Sequence, residues 1–223
     1  MSNVKLISYT SNGTEDTMQE IVAHCARVSN PSNQNNKSTA HKLLNYLKKH
    51  KHWSPFEMVN ICLEINTTRD IARQILRHRS FTFQEFSQRY ANPQDLDNMF
   101  IRREARLQDK TNRQNSIEIE SDPGVAENSG YLDLITDWQR RQASVINAAT
   151  EAYNWAIKNN IAKEQARVVL PEGLTMSRMY MNGTLRSWLH YFDTRCNADT
   201  QKEHRLIAKK CQDIVLKLID EHK

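Results

Sequence analysis

Apolar and polar residues alternate along residues 58–67, MVNICLEINT. The apolar side chains at odd positions from Val59 to Ile65 share one face of an extended chain, while Asn60 and Glu64 lie on the other. This alternation is typical of a half-buried strand and predicts one here. Two shorter stretches predict further strands, at 4–9 and 174–181.

Other stretches carry apolar residues three or four positions apart, the spacing that buries one face of a helix. The predicted helices lie at 15–28, around Leu43, Leu44 and Leu47, at 68–79, 131–158, 163–171 and 182–195, and from 200 onward. Residues 102–130 are polar and poor in aliphatic side chains, so we expect either a long surface loop or an excursion from the core there, and no separate domain. Together the elements predict a single, helix-rich domain of the mixed α/β class over residues 1–223.

The composition fits a globular chain with a real core, since 39% of its 223 residues are hydrophobic and 26% are charged. We expect a cytosolic protein, because no long apolar run and no signal-peptide pattern occurs. The four cysteines are scattered and form no C-x-x-C pair. We therefore expect free, structural thiols.

The five glycines form neither a dinucleotide-binding fingerprint nor a phosphate-binding P-loop. If the chain binds a nucleotide cofactor, arginines and hydroxyl groups must hold its phosphates. The eight histidines show no H-E-x-x-H pattern, so the sequence predicts no metal site. The net charge of +5 fits a nucleic-acid-binding protein and an enzyme with phosphate-bearing ligands equally well. A small positive excess that merely aids solubility explains the charge as well as either.

Residues 77–90, RHRSFTFQEFSQRY, concentrate polar groups among aromatic residues. If 83–90 is extended, Glu85, Ser87 and Arg89 share one face with Phe83. With the arginines just upstream, this face fits an anionic, hydrogen-bonding, ring-bearing ligand, because arginine binds phosphate in a planar, bidentate way.

Two other interpretations of the same stretch stay open. Basic residues at a helix C-terminus interact favourably with the helix dipole, and Glu85 could simply pair with an arginine across the sheet. Aromatic residues beside arginines also occur on nucleic-acid-binding surfaces, where they stack on bases.

The order of these residues resembles the signature of the flavin-dependent thymidylate synthases, R-H-R, seven residues, S, one residue, R-Y. Four other segments resemble the family in the same order, and only 102–130 is unmatched. They are ARVSN (26–30), HWSPFE (52–57), ARVVLP (166–171) and NGTLRSWLHYFDTR (182–195), with ARQILRHR (72–79) leading into the signature.

The resemblance implies a mixed α/β fold with a central, antiparallel-rich sheet, and a homotetramer with active sites between subunits. It implies a methyltransferase that makes dTMP from dUMP, with methylenetetrahydrofolate as carbon donor and NADPH reducing a bound FAD. It also explains why no cysteine nucleophile is expected, and it implies no nucleic-acid or membrane partner.

Site residues carry over from the resemblance position by position. Arg195 matches the arginine that assists ionisation of the uracil ring at N3, and Arg89 and Arg167 match positions near the dUMP phosphate. Ser87 is expected to bind substrate rather than act as a nucleophile. The positions implied for dUMP are Gln74, Arg77, Glu85, Ser87, Gln88, Arg89, Arg167 and Arg195. Those implied for FAD are Ser29, Ser54, Arg77, His78, Arg79, Glu85, Arg186 and His190.

The chain departs from the family pattern at two positions. Thr184 and His190 stand where the family often has asparagine. Two rival functions remain: a basic nucleic-acid-binding module that uses Arg77 and Arg79, and a family relative that binds flavin without synthase activity. Retention of Arg167 and Arg195 argues against the latter.

Overall fold

The computed structural model describes residues 3–119 and 130–220. Its strands are β1 (Asn3–Tyr9), β2 (Asn60–Thr68), β3 (Thr82–Glu85), β4 (Arg106–Gln108), β5 (Ser116–Glu118) and β6 (Met176–Thr184). Its α-helices are α1 (Met18–Ala26), α2 (Ala40–Lys49), α3 (Arg69–Ile75), α4 (Gly130–Lys158), α5 (Lys163–Ala166), α6 (Leu185–Arg195) and α7 (Lys202–Asp220). Short 3₁₀ helices occur at Pro31–Asn33, Ser54–Glu57, Pro93–Asp95 and Arg167–Val169. The mixed α/β class is confirmed.

The main sheet has the strand order β1-β2-β6-β3, so the last strand in sequence lies inside the sheet. The amide of Arg69, just after β2, donates to the carbonyl of Thr175, just before β6, at 2.9 Å. At the other end, the amide of Leu185 donates to the carbonyl of Val59 at 3.0 Å. β2 and β6 therefore run antiparallel, which agrees with the predicted sheet type.

The described residues form two compact units. Unit 1 contains Asn66–Gln74 and Glu85–Arg178, and unit 2 contains residues 3–65, Ile75–Gln84 and 179–220. The assignment of one domain to residues 1–223 stays a prediction.

In unit 2, helix α6 supplies much of the core. Trp188 is fully buried, and its indole N–H donates to the carbonyl of Ile61 on β2 at 3.1 Å. Because a buried indole N–H needs an acceptor, this bond fixes the rotation of α6 against the sheet. The helix begins at once after β6, because the Thr184 hydroxyl accepts from the Ser187 amide as its N-cap.

In unit 1, residues 102–119 are more ordered than the predicted surface loop. β4 and β5 form an antiparallel hairpin in which Arg106 pairs with Glu118. The buried side chain of Gln142 on α4 accepts from the Arg103 amide at 2.7 Å and donates to the Arg103 carbonyl at 2.9 Å. The surface-loop alternative is therefore wrong for residues 102–119, because these contacts join distant segments, whereas an excursion from the core agrees with them. Residues 120–129 of the predicted loop lie outside the described ranges.

A membrane span is not found within residues 3–119 and 130–220, since no helix there is both long and apolar enough.

Candidate functional site

The extended conformation considered for 83–90 ends early. β3 stops at Glu85. The carbonyl of Ser87 then accepts from the amides of Tyr90 at 3.1 Å and Ala91 at 3.0 Å, so the chain turns. The shared face of Phe83, Glu85, Ser87 and Arg89 required an extended chain. That condition fails beyond Glu85, because a local turn replaces strand pairing.

Glu85 is a fixed acceptor in unit 1. Its Oε1 accepts from the Ser177 hydroxyl at 2.8 Å and lies 3.6 Å from Arg69 Nη1. The side chains of Arg69 and Glu85 are only 15% and 21% exposed. The interpretation in which Glu85 pairs with an arginine agrees with this contact, although Arg69 lies on α3 rather than across the sheet. Both contacts involve Oε1.

Gln88 carries a buried side-chain donor that lacks a partner among the described residues. Its side chain is 4% exposed, and its Nε2 has no hydrogen-bond partner among the described residues. A buried amide donor without an acceptor costs about 1–3 kcal/mol, so each such group requires an explanation, and a bound ligand is one. Gln88 therefore fits a ligand that brings an acceptor atom.

Two segments of unit 1 carry the predicted phosphate-binding arginines and are tied together. Arg89 Nη2 lies 3.2 Å from Glu164 Oε2, and both side chains are about half exposed. Lys163 Nζ donates to the Tyr90 carbonyl at 2.9 Å.

Arg167 begins the 3₁₀ helix just after α5 and is half-buried. Gln74, near the end of α3, is also half-buried.

In unit 2, His78 and Arg195 are in direct contact. Arg195 Nε donates to His78 Nε2 at 2.9 Å. Arginine has no acceptor, so Nε2 of His78 must carry a lone pair and the ring must be neutral with its proton on Nδ1. Burial, and then the charge of Arg195, lower the pKa of His78 to about 4. The flanking Arg77 and Arg79 are exposed.

Arg186 and His190 lie one turn apart on α6, as their spacing predicts. Arg186 forms an ion pair with Glu57, and the His190 ring centroid lies 4.4 Å from that of Trp53. Both partners flank Ser54 in sequence, so these contacts hold the 3₁₀ helix Ser54–Glu57 beside α6. Ser54 and Ser29 are exposed.

Sequence reasoning missed the pair formed by Tyr191 and His204. The Tyr191 hydroxyl lies 3.0 Å from His204 Nε2, and both side chains are essentially fully buried. Burial, then the charge of Arg195, and then repulsion from His78 once that ring is protonated, lower the pKa of His204 to about 3. The only local signal was helical spacing, which does not reveal a polar partner on another helix.

All four cysteines lie in the described ranges and are free, as predicted. Burial raises the pKa of Cys62, Cys196 and Cys211. Arg195 does not lower the pKa of its neighbour Cys196, which agrees with a structural thiol.

Comparisons with known proteins agree along almost the whole chain. A family model described as thymidylate synthase complementing protein matches residues 5–219. A "probable flavin-dependent thymidylate synthase" of Paramecium bursaria Chlorella virus 1 is 45% identical over 217 residues, which cover 96% of this chain and 94% of the relative. A flavin-dependent thymidylate synthase of Synechocystis is 42% identical over 221 residues, with 96% and 94% covered.

A solved structure shares the fold. PolB from Streptomyces cacaoi, a UMP/dUMP methylase bound to 5-Br dUMP, superposes with a TM-score of 0.75. The match covers 98% of this chain and 91% of PolB at 24% sequence identity.

Proposed function

We propose that this chain, which belongs to the flavin-dependent thymidylate synthase family, converts dUMP to dTMP with FAD as cofactor. Methylenetetrahydrofolate supplies the carbon and NADPH the reducing equivalents. The observation that carries the proposal is that the family match spans residues 5–219 and includes the complete R-H-R…S-x-R-Y signature. A nucleic-acid-binding module would not need the distant matching segments.

The donors and acceptors of unit 1 fit a pyrimidine nucleotide. Arg89 and Arg167 offer guanidinium groups to the phosphate. The unpartnered Nε2 of Gln88 offers a buried donor, and Glu85 offers a fixed acceptor. We assign substrate binding to these residues together with Gln74, Arg77, Ser87 and Arg195.

The cations of unit 2 fit a phosphate-bearing cofactor in a chain without glycine-rich phosphate loops. We assign the flavin to Ser29, Ser54, Arg77, His78, Arg79, Glu85, Arg186 and His190. Of these, Arg77 and Arg79 are exposed donors, while Arg186 is already oriented by Glu57. When bound and reduced, the flavin supplies the hydride that completes the methyl group.

Arg195 carries the catalytic role in this proposal. Its Nε is committed to His78, so its Nη groups remain to face the uracil ring. A fixed cation there stabilises the negative charge that develops on ionisation at N3, which polarises the ring for reaction at C5. A preoriented guanidinium does this without reorganising during the reaction.

The assembly and location belong to the same proposal. We propose a homotetramer with active sites at subunit interfaces, in which some flavin contacts come from a neighbouring subunit. We place the enzyme in the cytoplasm, or in the host cytoplasm if a virus encodes it.

A visible absorption spectrum of the purified protein tests the function most directly. We expect oxidised flavin bands that bleach with NADPH under anaerobic conditions, and dTMP formation once dUMP and methylenetetrahydrofolate are added. Arg195→Ala should nearly abolish dTMP formation while FAD stays bound. A colourless protein that takes up no added FAD would overturn the proposal. The basic residues Arg77 and Arg79 would then be tested for nucleic-acid binding.

A further inference from the structure

The hydrogen bond between Arg195 and His78 exists only while His78 keeps one protonation state. A second proton on the ring would occupy Nε2, which is the atom that accepts from Arg195 Nε. A proton moved from Nδ1 to Nε2 would break the bond in the same way. The orientation of Arg195 therefore depends on whatever keeps His78 neutral and fixes its ring.

Tyr191 is the side chain placed to do this. Its ring meets the His78 ring edge-on, with centroids 4.9 Å apart and planes at 84°. It is 1% exposed and lies four residues before Arg195, so both side chains project from the same face of α6. Helix α6 therefore carries both the ring that covers His78, from Tyr191, and the donor that bonds to His78, from Arg195.

His204 on α7 holds the Tyr191 ring in place. Its Nε2 lies 3.0 Å from the Tyr191 hydroxyl, and its ring centroid lies 6.3 Å from that of His78. A buried hydroxyl or imidazole without a partner is costly, so each group satisfies the other. A rotation of Tyr191 away from His78 would break this bond without a replacement from water.

We propose that Tyr191 and His204 are positioning residues that act through His78 to hold Arg195 in its working orientation. Neither residue needs to touch substrate or flavin. This inference rests on the proposed function for its catalytic consequence, but its structural part concerns only the ring of His78.

The test uses selective ¹⁵N-histidine NMR on the full-length protein together with steady-state kinetics. Tyr191→Phe removes the hydroxyl and keeps the ring, while Tyr180→Phe makes the same change at an exposed tyrosine and serves as the matched control. Arg195→Lys removes the Nε donor and supplies the reference spectrum of His78 without its partner.

In the wild type and in Tyr180→Phe we expect His78 as the neutral Nδ1–H form at pH 6. In Tyr191→Phe we expect its signals to move towards those of Arg195→Lys, because the ring that covers His78 is no longer held by His204. We expect kcat for dTMP formation to fall about tenfold, with the KM for dUMP changed less than about twofold. His204→Gln, which can still bond to the hydroxyl, should restore most of the kcat that His204→Leu loses.

Unchanged His78 signals in Tyr191→Phe would overturn the inference, as would a kcat loss that merely follows the fraction of folded protein. If the wild type makes no dTMP, the proposed function fails instead, and the NMR comparison still decides whether Tyr191 controls the state of His78.

Discussion

Gly183 lies directly against the ring of Phe81. A Cβ added at Gly183 would stand 2.4 Å from Phe81 Cδ1 and 2.6 Å from Cε1. Phe81 is 7% exposed, and its ring centroid lies 4.8 Å from that of the buried Trp188. The ring has little room to move, so β6 and the segment before β3 approach this closely only because position 183 has no side chain.

We expect Gly183→Ala to lower the free energy of unfolding by about 1–3 kcal/mol, because one added methyl group overpacks a filled core. Thermal unfolding would measure this. Gly173→Ala is the control, since no described atom lies within 4 Å of a Cβ built there. Equal melting temperatures for the two variants would contradict the prediction.

We expect Gln88→Met to separate stability from substrate binding. Nε2 of Gln88 has no partner within the described residues, so its removal should leave the ligand-free protein as stable or more stable. The same change should weaken dUMP binding about tenfold, measured by calorimetry, because it removes one hydrogen bond to the ligand. Gln142→Met is the control, because that buried amide bonds to both backbone groups of Arg103 and its loss should destabilise. Unchanged dUMP affinity in Gln88→Met would argue against a ligand role.

Glu164→Gln should strengthen dUMP binding slightly. Without substrate, Arg89 pairs with Glu164, and the phosphate must displace that carboxylate. Exposed ion pairs contribute about 0–1 kcal/mol, so the KM for dUMP should fall by at most about fivefold, and less at high salt. Glu172→Gln, which breaks the exposed pair with Arg73, is the control. A raised KM in Glu164→Gln would mean that Glu164 orients Arg89 rather than competing for it.

Stability should decrease as the pH falls below about 6.5. In the unfolded chain both histidines have the ordinary pKa of 6.5. In the folded protein the pKa is about 4 for His78 and about 3 for His204. Between these values the unfolded chain binds protons that the folded chain does not, so the free energy of unfolding falls with decreasing pH. The two neutral rings therefore contribute fully to the free energy of unfolding above pH 6.5, and this contribution is lost as the pH approaches 3. Melting temperatures from pH 7.5 to 4 would measure it, and His204→Gln should flatten the slope. A profile that stays flat in the wild type would contradict burial of neutral rings.

Most elements followed from local periodicity. The helix predicted at 131–158 occurs as Gly130–Lys158, and the strand predicted at 4–9 occurs as Asn3–Tyr9. Failures arose where distant contacts decide the conformation. Residues 102–119 gain order from Gln142 on α4, and no local pattern reports such a contact.

For the candidate site, too, local features were predictable from the sequence and contacts between distant residues were not. The signature supplied residue identities, because spacing within a motif is visible in sequence. It could not show that the chain turns at Ser87, or that Arg195 donates to His78 across 117 positions. The partner of Tyr191 was equally hidden, since a buried histidine and an exposed one look alike in a helical pattern.

The place of β6 in the sheet has a consequence for synthesis of the protein. β2 and β3 are not neighbours, because β6 lies between them, yet β3 ends at Glu85 and β6 begins only at Met176. A chain still emerging from the ribosome therefore presents unpaired edges on both strands until nearly all of it has been made. Open edges attract other strands, so a ribosome-bound intermediate of this protein is a natural client for chaperones.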